Sequence, residues 1–466
     1  MRIGKIGAWM AAAALISAGC GGGGSRPNVV VVTIESLRAD HLGCYGYDLP
    51  TSPHLDRFAA ESIRFDRAYS VTSWTLPSHA ALLTGMYPSA VQVTEPHHKL
   101  SDSYATLAET LAEEGYHTAA FVSGPFLRTP YNLNQGFALY DDGPSAVTQE
   151  TAHGDVTNPS MERAVTAFLR SRPEEPFFLF AYFWDVHYDF IPPPPYDTMF
   201  VTADMEPFDG TGFESNNEIR PDMSPERFRY LVSQYDGEIR STDEMFGRLF
   251  GVLREEGLWE NTAILVTADH GEEFFEHGAK GHKHNLHVET LHVPLLFKPP
   301  GLFEPAVDGR VASLIDVAPT VLGLCGVRPP EGVAGRSLLA PAEDAPRELF
   351  YELYLTYYGY VIGGGFAGTK TFDSFALRKG GRKYIRLPMK GGERLYDVLG
   401  DPAERQDLSD SLAAELPDFR AKVEEYIARA EAIAASHGAA PDAALSAEER
   451  ERLEALGYIQ TVPRAP

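Results

Sequence analysis

Three apolar runs, far apart in the chain, each end in side chains able to bind a metal or carry a proton. Val29 to Thr33 is β-branched and leads to Glu35; Phe177 to Phe183 is apolar and aromatic and leads to Asp185 and His187; Ala263 to Thr267 leads to Asp269 and His270. Short apolar runs of this kind read as buried strands, and stretches of helical period lie between them. The alternation predicts an α/β fold with a largely parallel central sheet between helices. Ligands bind at the carboxyl ends of the strands in open α/β sheets, so three runs ending in ionisable residues predict one shared site. Any one of them alone reads as a solvated loop carboxylate.

A fourth segment, Ser73 to Gly85, adds a hydroxyl to that set. Pro77 suits a first helical turn and Gly85 a helix stop, which places Thr75 at a helix N-terminus. Backbone N–H groups and the helix dipole favour an anion there, such as a sulfate or phosphate group held against a hydroxyl nucleophile. By itself, a threonine at such a place is usually a cap.

Charge narrows the partners. With 65 acidic and 40 basic residues among 466, the net charge is -25, which repels nucleic acid. The densest local counter-charge is Glu276 to His287, with four histidines (His277, His282, His284, His287) and the lysines Lys280 and Lys283. At the other extreme of the chain, Arg2 and Lys5, an apolar stretch from Ile6 to Ile16, and Ser17-Ala18-Gly19 read as an export signal over residues 1–19. Cys20 then resembles the lipidated cysteine of bacterial lipoproteins, with Ser17 where an aliphatic residue is usual. A plain secretory signal is the alternative. Residues 20–27 read as a glycine-rich tether. These features predict an extracytoplasmic protein of a bacterial envelope, anchored to the membrane through Cys20, with Cys44 and Cys325 unpaired.

The segment Asn28 to Gly43 resembles the opening strand and loop of the sulfatase family, part of the alkaline-phosphatase superfamily. The resemblance continues through Thr51 to Asp56, the Thr75 segment, Asp185-Val186-His187, Asp269-His270-Gly271-Glu272, Val293-Pro294-Leu295 and Asp316 to Thr320. It implies a catalytic domain over residues 28–340, and a C-terminal subdomain of small antiparallel sheet plus helices over 341–466. It also implies a hydrolase of sulfate or phosphate esters, with a sulfated or phosphorylated glycan, lipid or small molecule as substrate. Specificity is expected in the loops Asp141 to Thr157 and Val201 to Asn217. His187 and His282 fall near substrate-contacting positions of the family, and His79 beside the nucleophile completes the catalytic candidates; Asp185, His187 and His282 are the candidates for a second metal.

The departures from the family carry as much. Sulfatases place at Thr75 a cysteine or serine that is converted to formylglycine, and an arginine where this chain has His79, so no formylglycine is expected. Glu35, Thr75, Asp269 and His270 instead resemble the metal set of envelope phosphoethanolamine and phosphoglycerol transferases, which use threonine directly. Carboxylate, hydroxyl and imidazole together suit one Mn2+ or Zn2+ ion, with Ca2+ or Mg2+ as alternatives. Two other functions stay open: a phospho-group transferase of the envelope, and an idle lipoprotein that binds anionic glycans. Toward the C-terminus, Phe372 to Leu387 has strand character, Ala414 to Ala435 and Ser446 to Leu456 have helical period, and Ser446 with Glu449 forms a capping-box pattern.

Overall fold

A computed structural model describes residues 26–145, 157–187, 189–213, 216–341, 346–357, 361–362, 365–366, 370–387 and 392–455. The export signal, Cys20 and the glycine run after it lie outside these residues, as do 146–156 and 214–215 of the two expected specificity loops.

The strands of the larger domain are β1 (Asn28–Ile34), β2 (Ile63–Tyr69), β3 (His117–Val122), β4 (Leu139–Asp141), β5 (Phe177–Phe183), β6 (Thr262–Ala268), β7 (Glu273–Phe274), β8 (Lys280–Gly281), β9 (His292–Val293), β10 (Leu295–Lys298) and β11 (Ala306–Ser313). One sheet runs β11-β2-β10-β6-β1-β5-β3-β4, with β9 paired to β2, while β7 and β8 form a separate hairpin. The three apolar runs are therefore neighbours at the centre. Val29 lies opposite Phe178 and Ala263, and Ile34 opposite Phe183 and Ala268. Every residue of β1, β5 and β6 is buried, as strands covered on both faces require.

Pairing is parallel from β4 to β6 and between β2 and β11, but β10 runs antiparallel to β6 and β2. The sheet is thus largely parallel, as the sequence predicted, and is made mixed by β10 and the short β9. No long helix crosses back between β6 and β10. The chain leaves β6 at its carboxyl end, builds the β7–β8 hairpin there and re-enters from the same edge, so β10 must run the other way.

The Thr75 segment forms the helix Thr75–Thr84, all ten residues buried, after the extended Trp74. Gly85 ends it in a left-handed conformation (φ 68°), its N–H bonded to Ala81 O at 2.8 Å. A methyl group there would come within 3.0 Å of Val333 Cγ1.

In the C-terminal part, strands Glu348–Tyr357, Lys370–Lys379, Arg382–Leu387 and Gly392–Asp397 pair antiparallel in chain order. The run Phe372 to Leu387 is hence two strands, turned at Gly380 (φ 60°) and Gly381. Helix Leu416–His437 covers this sheet over a small separate core of Phe375, Leu377, Tyr384, Leu395, Phe419 and Val423. Ser446 and Glu449 form the expected capping box, with bonds of 2.8 and 3.2 Å, at the start of helix Ala447–Ala455. Cys44 and Cys325 are not joined in a disulfide. Among the described residues no helix is long and apolar enough to cross a membrane.

Candidate active site

Register along β5-β1-β6 brings the three strand ends level, and the Thr75 helix begins beside them. Glu35 is fully buried just past β1. Its carboxylate accepts the Thr75 hydroxyl at 3.1 Å (Oε2) and 3.4 Å (Oε1), the Ser36 hydroxyl at 2.9 Å and the Tyr182 hydroxyl. His270 Nε2 lies 2.9 Å from Glu35 Oε1 and 3.5 Å from Thr75 Oγ1. Ser36 turns the chain here in the left-handed region (φ 51°), a conformation costly for serine. Its N–H bonds to Asp269 Oδ1 at 3.2 Å and its carbonyl accepts Tyr235 OH at 2.8 Å, so both neighbours hold the turn in place.

The electrostatics are uneven. Burial alone would raise Glu35, but the charge of His270 and the bond to it hold the carboxylate well below its ordinary value. Burial, then the negative charge of Glu35, push Asp269 well above its ordinary value. Burial opposes charge on His270, yet Asp269 and Glu35 raise it to about 10. Two carboxylates thus share one imidazole in a place closed to water. Asp269 Oδ2 is buried and makes no hydrogen bond. A buried oxygen left bare beside a second carboxylate fits a divalent cation, and Glu35, Asp269, His270 and Thr75 offer mixed oxygen and nitrogen donors suited to Mn2+ or Zn2+. His282 also reaches this point: one donor atom each from Glu35, His270 and His282 lie within 4.8 Å of one another.

Other residues expected at the site act differently. His79 is fully buried beside Thr75, but its Nδ1 lies 2.9 Å from the Thr75 carbonyl and its Nε2 2.9 Å from Thr33 Oγ1. A carbonyl only accepts, so Nδ1 carries the proton and Nε2 accepts from Thr33. Burial lowers His79 to about 4. It cannot take the Thr75 proton in this arrangement, and the catalytic role read from sequence becomes one of tying the first helical turn to β1. Asp185 is likewise withdrawn from metal binding, because its carboxylate accepts Thr157 N–H at 2.8 Å and Asn158 N–H at 2.6 Å where helix Asn158–Arg170 starts. His187, half-buried, packs at a tilt against Trp184 (4.8 Å) and lies 5.5 Å from the His282 ring, within electrostatic reach of Glu35.

The basic cluster is mostly occupied too. His284 pairs with Glu273 at 2.7 Å, His277 with Glu289 at 2.8 Å and His287 with Glu404 at 3.1 Å, while Lys280 donates to the carbonyls of Asn216 and Ile219. The site also holds residues the sequence did not single out. Tyr182 sits inside an apolar run and looks like core until β5 is aligned with β1. Glu272 belonged to a recognised motif without a role.

A family model described as Sulfatase matches residues 27–327, and one described as N-sulphoglucosamine sulphohydrolase, C-terminal, matches 276–431. An arylsulfatase of Clostridium perfringens is 24% identical, over 83% of this chain and 91% of its own. A multifunctional alkaline phosphatase superfamily protein of Trinickia caryophylli is 27% identical, over 71% of this chain and 80% of its own. The crystal structure of a phosphonate monoester hydrolase of Agrobacterium radiobacter superposes with a TM-score of 0.67 at 20% identity, covering 89% of this chain and 96% of that one.

Proposed function

The chain belongs to the sulfatase family, and from that premise we propose a metal-dependent hydrolase of sulfate, phosphate or phosphonate esters in which unmodified Thr75 is the nucleophile. The observation that carries this reading is the Thr75 hydroxyl itself, at a helix N-terminus, 3.1 Å from Glu35 and 3.5 Å from His270. Glu35 is ionised, so the Thr75 proton points at its carboxylate and the oxygen lone pairs are left for the ester. Glu35, Thr75, Asp269 and His270 would hold a divalent cation, which supplies the positive charge that makes a threonine hydroxyl a competent nucleophile and polarises the ester. In-line attack by Thr75 Oγ1 forms a new S–O or P–O bond as the bond to the departing alkoxide breaks, and the Thr75 proton passes to the Glu35 carboxylate that accepts it. The alcohol leaves with a proton, for which His187 is the donor in this reading. Water then cleaves the Thr75 ester, releasing sulfate, phosphate or phosphonate and restoring the hydroxyl. Acid quenching during turnover, followed by mass measurement of the peptide carrying Thr75, tests the scheme: a fraction should carry one sulfate or phosphate group. An active enzyme whose peptide shows only a formylglycine-like mass change would overturn it.

The relatives named as acting on sulfated substrates, including an ulvan-active sulfatase, support an anionic glycan or similar ester as substrate class. The lipoprotein-like N-terminus supports work outside the cytoplasm on a membrane leash. Cys20→Ser should move the protein from membranes to the soluble fraction; unchanged fractionation would refute the anchor.

A further inference from the structure

We propose that His282 is a further ligand to the divalent cation, and that Glu272 is the residue that positions it; this rests on the metal reading above. The sequence placed His282 against the ester. In the β7–β8 hairpin, however, Glu273 pairs with Gly281, which sets Glu272 and His282 across from each other at the hairpin's open end. Both are buried, and the Glu272 carboxylate oxygens lie 3.3 and 3.2 Å from His282 Nδ1. A Glu272 carboxylate that accepts from Nδ1–H leaves Nε2, on the far side of the ring, to coordinate. The ring lies 4.5 Å from that of His270, and its donor atom falls with those of Glu35 and His270 inside one 4.8 Å group.

The backbone is shaped for this aim. Gly281 (φ 86°) and Lys283 (φ 62°) flank His282 in left-handed conformations, and Lys283 N–H bonds to Ser73 O at 2.9 Å, pinning the turn against the loop that precedes Thr75. A carboxylate behind a coordinating imidazole fixes its tautomer and raises its basicity, and its loss typically costs ten- to a hundredfold in metal affinity. Two imidazoles with two carboxylates also select zinc or manganese over calcium.

The test uses the full chain loaded with zinc. X-ray absorption should count two imidazoles per zinc in the wild type and one in His282→Ala. Competition with a chelator should show affinity lower by about tenfold or more in His282→Ala and Glu272→Leu. Glu272→Gln keeps an acceptor and should recover most of the loss, with zinc-free melting curves confirming that each variant folds. One imidazole in the wild type, with unchanged affinity in His282→Ala, would overturn the inference and return His282 to the ester while leaving the metal reading intact. A wild type that binds neither zinc nor manganese would overturn the metal reading, and this inference with it.

Discussion

Two clusters of buried charge both draw on the segment from Asp269 to Glu289, and they are built on opposite terms. Around Glu404, beyond the hairpin, the protein neutralises its own charges. Lys383 Nζ lies 2.7 and 3.0 Å from the Glu404 carboxylate, His287 pairs with the same group, and the His277 ring stacks on His287 at 3.6 Å while its Nδ1 meets Glu289. Burial would raise Glu404, but the charge of Lys383 and the bond from His287 hold it below its ordinary value. Around Glu35, by contrast, two carboxylates face one charged imidazole, one of them is forced upward, and Asp269 Oδ2 is left bare. A cluster complete in itself is structural; a cluster short of positive charge is prepared for something it does not contain.

The sharpest break in that comparison is Thr75→Ala, which should remove about 10³- to 10⁶-fold of turnover on the best ester while leaving the melting temperature nearly unchanged. Thr75→Ser should keep measurable activity. Next, Glu404→Gln strips a buried lysine of its partner and should cost about 3–5 kcal/mol in denaturant unfolding, with or without added cation. Glu352 sharpens the contrast, since it stands at the same junction with only neutral donors, Ser89 (2.6 and 2.7 Å) and Tyr426 (2.8 Å), and burial raises it to about 7. An acid raised on folding loses stability as pH climbs from its ordinary 4.5 to its folded value. Glu352→Gln should therefore flatten the stability profile between those limits, by roughly 3 kcal/mol at most. Glu404, lowered on folding, behaves oppositely: its contribution is complete above the ordinary carboxyl value and lost as pH falls through its depressed one. The smallest effect is expected from Asp269→Asn. Metal analysis should show the bound cation sharply reduced, yet the metal-free protein should melt slightly higher, by on the order of 1 kcal/mol, because a repulsion with Glu35 is gone. A lower metal-free melting point would mean the two clusters are alike after all.

What the sequence showed follows from how local each signal is. The convergence of Glu35, Asp269 and His270 was legible because apolar runs and their terminal residues are contiguous, and the Thr75 helix because Pro77 and Gly85 mark its ends. The partners of the histidine cluster were illegible for the opposite reason. His287 meets a glutamate 117 residues further on, and no local pattern tells a histidine bound to a distant carboxylate from one open to an anion. Asp185 was read as a ligand because its position after β5 was right; only the start of the preceding helix shows which way its charge is used. His79 was correctly placed next to Thr75, but proton locations on an imidazole are decided by tertiary partners such as Thr33.

The junction around Glu352 has a consequence for how freely such a protein can be recombined. Glu352 N–H bonds to Val71 O at 2.9 Å, four residues before Thr75, Ser89 bonds to its carboxylate, and Arg378 reaches the Tyr69 hydroxyl at 2.8 Å. The smaller sheet is thus stitched to both flanks of the Thr75 helix and, through Glu404, to the hairpin that carries His282. It is no detachable module. A graft of this sheet from a relative brings new neighbours to bear on reactive groups it never touches, so changes of taste for substrate can arise in a part of the chain that holds none of the chemistry.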